Sequence, residues 1–224
     1  MKKTIYLLVG VIVVLGISYF YFMRPVEAPT APIGEMSAKL PAGSPSQSGI
    51  IYRIGTGSLA RFSIYELLAG KDKTVIGTTP DIGGDIRVLG DTIEIGQLSI
   101  DARTLQTDSD DRDRALARFI LKSTDPANEL IIFKPTLISG LPTTLPTGQE
   151  FSLSVTGDLT ISGVTHQAVF ATKATITSDG LTGTTEAKLK RSDYKLVIPN
   201  LSFIANVPDE FTVGATISAQ KIAI

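Results

Sequence analysis

The chain of 224 residues balances 21 Lys and Arg against 22 Asp and Glu, for a net charge of −1, and contains no cysteine and a single histidine. Without cysteine there is no disulfide framework, no thiol for lipid attachment and no thiolate metal site. Near-neutral charge also removes the clustered cations that contact with nucleic-acid phosphates needs.

Lys2 and Lys3 precede Ile5 to Met23, nineteen residues without a charge. As a helix this stretch is about 28 Å long, enough to cross a bilayer. Val26-Glu27-Ala28 resembles a signal-peptidase site, but Pro29 would follow the cut and should block it. The cluster Tyr19-Phe20-Tyr21-Phe22 suits an interfacial anchor. The sequence therefore predicts an uncleaved membrane anchor over 1–24. The two lysines at its start put the remainder outside the cytoplasm, in the periplasm or at the cell surface.

Residues 25–49 hold Pro25, Pro29, Pro32, Pro41 and Pro45 among small residues, with no hydrophobic period, and read as a disordered linker. Residues 50–224 suffice for one domain with its own core. Its 17 basic and 20 acidic residues make it slightly acidic.

Within the domain, strands are expected at about 50–55, 58–68, 73–79, 84–89, 92–104, 129–139, 150–162, 164–177, 181–191 and 210–223. One helix is expected, Ser109 to Lys122, with Asp108 or Ser109 as cap and Asp110, Asp111 and Asp113 in the positive first turn. Leu116, Phe119 and Ile120 fall at helical spacing and should turn one apolar face onto an end of the sheet. Many antiparallel strands with a single helix argue for an all-β, antiparallel barrel, which also removes exposed edges.

The clearest pattern runs from Phe151 to Ile161, where every odd position except Gly157 is apolar and every even one is polar. That is a strand with one dry face and one wet face. Breaks at Ser162-Gly163 and Ser178-Asp179-Gly180 lead into two more strands, which makes an antiparallel meander. Gly157-Asp-Leu-Thr-Ile-Ser-Gly-Val-Thr-His-Gln-Ala-Val-Phe170 resembles the signature hairpin of the YceI-like, polyisoprenoid-binding family. Leu189-Lys-Arg-Ser-Asp-Tyr194, Ser58-Leu-Ala-Arg-Phe-Ser-Ile64, Ile100-Asp-Ala-Arg-Thr-Leu-Gln-Thr107 and Arg112-Asp-Arg-Ala-Leu116 resemble further steps of the same family in the same order. Gly55 departs from it, standing where the family usually has Asp. The resemblance implies an eight-stranded, lipocalin-like barrel holding a long apolar chain, such as a polyprenyl or quinone tail, in its lumen.

No constellation for chemistry stands out. His166 has no second imidazole and no Gly-x-Ser-x-Gly elbow to work with, and reads as a solvated turn residue. Asp108-x-Asp110 opens like a calcium loop, but Arg112, Asp113 and Phe119 break the pattern. Gly55-Thr-Gly-Ser-Leu-Ala60 continues into an alternating strand instead of the helix that a dinucleotide site requires. A non-enzyme without metal or cofactor is expected, apart from a bound isoprenoid or quinone lipid.

The strand faces carrying Phe62, Ile64, Phe151, Leu153, Val155, Phe211, Val213 and Ile217, together with Leu116 and Phe119 of the helix, are the expected lipid contacts. Arg191, beside Lys190, Asp193 and Tyr194, is the candidate for a head group or for structural pairing. The periodicity alone fits a lumen or a solid core equally. A filled barrel acting as a structural or interaction module of the envelope is the alternative reading.

Overall fold

The structure is a computed structural model that describes residues 2–40, 49–68, 70–198, 204–205 and 207–222. Its body is one antiparallel sheet of thirteen strands, curled into a half-barrel of the lipocalin-like kind. The strands are β1 Ile50–Ile54, β2 Leu59–Leu68, β3 Lys71–Thr79, β4 Ile82–Gly83, β5 Asp85–Leu89, β6 Thr92–Ile95 and β7 Leu98–Asp101, followed by β8 Leu130–Ser139, β9 Glu150–Ile161, β10 Val164–Ile176, β11 Gly180–Lys190, β12 Ile204–Ala205 and β13 Glu210–Lys221.

The expected meander is present as β9, β10 and β11. Its buried positions alternate along β9 as the sequence does, from Phe151 to Ile161. β8 joins β9 on the other side, with a register shift between Pro135 and Leu137, where proline has no N–H to give the ladder.

The count of eight strands is corrected to thirteen among the described residues. Proline and glycine break the long strands of the first half: Gly55 to Gly57 part β1 from β2, Pro80 and Asp81 part β3 from β4, Gly84 parts β4 from β5, and Gly96 with Gln97 splits the strand expected over 92–104. These breaks let one segment change partners. β3 pairs with β2, β4 two residues later pairs with β7, and β5 pairs with β1. β13 gives one whole edge to β11 and divides the other between β2 and β1.

The expected helix is shorter and of mixed type. α-Helix covers only Asp110–Ala115, and Leu116–Ile120 is a π-turn in which the Leu121 N–H donates to the Leu116 carbonyl, five residues back, at 2.8 Å. Ser109 occupies the cap position without a side-chain cap bond; instead Asp113 accepts from the Thr107 N–H and hydroxyl at 2.8 and 2.6 Å. The wider π-turn rotates the register by about one residue. Leu116 stays buried, Leu121 joins it in the core, and Phe119 is 45% exposed. Phe119 is thus not the core contact that α-helical spacing implied.

The N-terminal helix runs Lys2–Met23, and the side chains described along it, from residue 11 to residue 20 and at Met23, are exposed. Among the described residues no helix is long and apolar enough to cross a membrane. Of the stretch expected as a disordered linker, residues 25–40 lie against the domain, with a one-turn helix at Ile33–Met36, and 41–48 fall outside the described residues.

Candidate functional site

The inward faces of the strands enclose a cavity of about 170 Å³. Its lining is almost wholly apolar: Ile54, Ala60, Phe62, Ile82, Ile86, Ile93, Ile95, Leu98, Ile100, Leu105, Ile131, Phe133, Leu153, Val155, Leu159, Ile161, Phe170, Ala174, Leu181, Val213, Ala215 and Ile217. Arg61, Thr172, Thr184 and Thr185 are the lining residues with polar side chains, and Gly183 and Gly214 complete the wall. At Gly214 an added Cβ would meet the Thr185 carbonyl oxygen at 2.4 Å, so no side chain fits there without moving backbone.

Gly157, the one exception to the alternation of β9, has a similar explanation. A Cβ at that position would lie 2.5 Å from the Lys134 carbonyl oxygen and 2.7 Å from Cζ of Phe133. The Phe133 ring occupies the space that the missing side chain leaves and packs edge-to-face on Phe170, with centroids 4.8 Å apart.

Of the residues picked from the sequence, Phe62, Leu153, Val155, Val213 and Ile217 line the cavity. Phe151, Phe211 and Leu116 are buried in the surrounding core but do not line it, and Ile64 packs against that core. Phe119 lies outside. Arg191 lies away from the cavity: its Nε and two terminal nitrogens donate to the carbonyls of Pro208, Leu196 and Val207 at 2.9, 3.1 and 3.0 Å, clipping two loops together. Most of the isoleucine wall was missed. The alternation Ile93-Glu94-Ile95 carried a signal, but Ile82, Ile86, Leu98 and Ile100 sit on short segments whose period the breaks erase.

The helix-bearing end is filled. Leu116, Leu121, Leu189, Tyr194, Leu196 and Phe211 are all buried in the core cluster. Tyr194 is 1% exposed, and its hydroxyl has no hydrogen-bond partner among the described residues. Burial, with the nearby Asp193 charge, raises that phenol to about 12. His166 meets the Tyr194 ring edge-to-face at 5.5 Å, so it is part of this rim.

The outer face of β4 and β7 carries a second buried group. Ser99, Asp101 and Asp85 are at most 1% exposed, because residues 28–40 cover them. Asp85 accepts from Arg53 Nε at 2.9 Å and from the Leu40 N–H at 3.1 Å. Arg103 donates to the Ser123 and Ala28 carbonyls at 2.8 and 2.9 Å and pairs with Glu129 at 3.3 Å, while the Thr30 N–H and hydroxyl both donate to Glu129. Burial pushes the Glu129 carboxyl up, but the two bonds from Thr30 and the Arg103 charge outweigh it and hold the group below its ordinary value. Asp101 goes the other way: burial, helped by Glu129 and Asp81, raises it despite the bond from the Arg103 N–H. Among the described residues no group of three His, Asp or Glu could hold a metal ion.

This combination of a curled antiparallel sheet, few helices and an apolar interior is found in known proteins. The profile of the YceI-like domain matches residues 52–219. The chain belongs to the YceI-like domain family. Three solved structures share the fold. A polyisoprenoid-binding domain from Saccharophagus degradans, implicated in plant cell wall breakdown, is 16% identical with a TM-score of 0.62 and covers 78% of this chain and 100% of its own. BcnA of Burkholderia cenocepacia is 14% identical with a TM-score of 0.52, covering 72% and 96%. A mutant YceI protein of Campylobacter jejuni with a monobromobimane guest is 17% identical with a TM-score of 0.51, covering 66% and 85%. Comparison with curated proteins gives no match. The meander singled out above lies wholly inside the matched YceI-like region.

Proposed function

We propose that this YceI-like domain binds an apolar lipid, an isoprenoid or similar chain, by taking its tail into the lumen, and that binding, not catalysis, is its role. The observation that carries this reading is the lining of the cavity, which offers a hydrocarbon chain many apolar contacts. A void of about 170 Å³ is the size that holds a compound of roughly six carbons. One five-carbon isoprene unit therefore fits, with a gross gain of about 4 kcal/mol at roughly 0.8 kcal/mol per CH₂. A longer tail must spread the walls or extend out of the sheet.

That small volume is also what favours the second reading, a filled sheet serving as an interaction module of the envelope. Val155→Phe separates the two. If the lumen is the binding site, the new ring fills ligand space, lipid uptake in native mass spectrometry is lost and the melting temperature changes little. A filled core would instead be overpacked, at about 1–3 kcal/mol. Val155→Phe that takes up isoprenoid as the parent does would refute the lumen.

The tether is the second part of the proposal. The nineteen uncharged residues and the exposed side chains from residue 11 to residue 20 support a membrane span, with the domain outside the cytoplasm. Cell fractionation with N-terminal sequencing tests it, and a soluble form starting near Pro29 would reject it.

A further inference from the structure

Among the described residues, several strand connections at one end of the sheet gather around the helix. β7 ends and β8 begins there, β2 ends and β3 begins there, and the β9–β10 turn and residues 191–198 after β11 lie there too. The Ser162 hydroxyl in the β9–β10 turn donates to the Leu121 carbonyl at 2.8 Å, and Tyr194 of the loop packs on His166, so these pieces form one surface.

The N-terminal helix arrives at this same surface. Arg118 in the π-turn donates to the carbonyl of Arg24, the residue just after Met23. Five residues beyond Met23, the Ala28 carbonyl is held by buried Arg103, and Thr30 is held by Glu129. Even fully extended, five residues span at most about 17 Å. The first helix and the domain are therefore joined without the slack that a free linker would give.

Among the described residues, large apolar side chains project from this end, including Phe119 at 45% and Val197 at 71% exposure. Each has an exposed lysine nearby in a left-handed turn, Lys122 with φ 52° and Lys195 with φ 54°. Apolar tips beside long cationic side chains suit the boundary of a bilayer, where the rings and methyls enter and the ammonium groups reach back to the head groups. Arg24 stacks over the Phe20 ring at 5.1 Å, the pairing expected where a helix leaves a membrane. Asp110, Asp111 and Asp125 share this end, so the surface is of mixed charge and fits a zwitterionic membrane.

We infer that the helix-bearing end of the domain rests on the membrane from which the chain emerges, with Phe119 and Val197 entering the head-group layer. The inference rests on the reading of the first helix as a membrane span. The absence of native cysteine makes the test direct. Phe119→Cys, Val197→Cys and, at the opposite end between β8 and β9, Thr143→Cys are each spin-labelled in the full chain and reconstituted in phosphatidylcholine nanodiscs. Collision with a water-soluble nickel chelate should be several-fold slower at 119 and 197 than at 143, and collision with oxygen faster. Equal nickel access at all three positions in protein that stays with the nanodiscs through an alkaline wash overturns this inference alone. Protein that washes off overturns the span reading as well. A fourth probe, Lys195→Cys, should show intermediate access, and full aqueous access there together with that at 197 would also count against docking.

Discussion

The wall made by β9, β10 and β11 and the wall made by β4 and β7 line the same cavity but are built on different rules. In the first, one face is dry and the other wet, so burial follows the alternation of the sequence. The second is buried on both faces: Leu98 and Ile100 toward the cavity, and Ser99 and Asp101 under residues 28–40. A polar face is therefore not always a solvated one, and here it is the binding surface for a segment far away in sequence.

The largest expected effect breaks the second wall. Glu129→Ala leaves Arg103 buried without its partner carboxylate and frees Thr30, which should cost about 3–5 kcal/mol in denaturant melts. The effect should depend on pH with a definite sign. The folded carboxyl titrates below its ordinary value of 4.5, so its contribution is present above pH 4.5 and lost as pH falls through the folded value. Parent and variant should therefore converge in acid, and a gap that stays constant down to pH 3 would argue against the ion pair.

Next comes the filled end. Leu121→Ala should cost about 2–4 kcal/mol, since the π-turn puts that side chain in the core. In the regular wall, Gly157→Ala should cost about 1–3 kcal/mol, because the Lys134 carbonyl cannot yield and the Phe133 ring must. The smallest change is at Phe119→Ala, expected within about 0.5–1 kcal/mol for a side chain nearly half exposed. Comparing it with Leu121→Ala by the same melts checks the π-turn: the reverse order would mean that the helix is regular α.

How far the sequence could be read follows the same division. The meander was legible because period two ran through β9 for eleven residues with a single exception, and even that exception, Gly157, has a cause in Phe133, a residue of the neighbouring strand. The breaks at Pro80, Gly84 and Gly96 were visible as residues, but not as places where one segment leaves a partner for another, since pairing is a tertiary choice. Helical spacing selected Leu116 correctly and Phe119 wrongly, because one hydrogen bond of the wider kind shifts every later residue. The docking of residues 25–40 had no local signal. Its anchors, Arg103, Glu129 and Asp85, look like ordinary surface charges until the fold brings them together. The cavity wall was half legible, through Phe62, Leu153, Val155, Val213 and Ile217, and Arg191 was recognisable as a motif residue while its use as a clip between loops was not.

β13 is the last strand described, and two of its three partners, β1 and β2, are the first. The sheet thus cannot be completed until residue 221 is available, by which time the rest of the domain has been synthesised with that part of its apolar interior uncovered. Contacts separated by about 150 residues close slowly, because a long loop must be ordered before it gains anything. Truncation within β13 should thus be far more damaging than its place after all the other described strands suggests. Until β13 is in place, the free edges of β1, β2 and β11 are the kind of unpaired edge through which incomplete chains pair with one another.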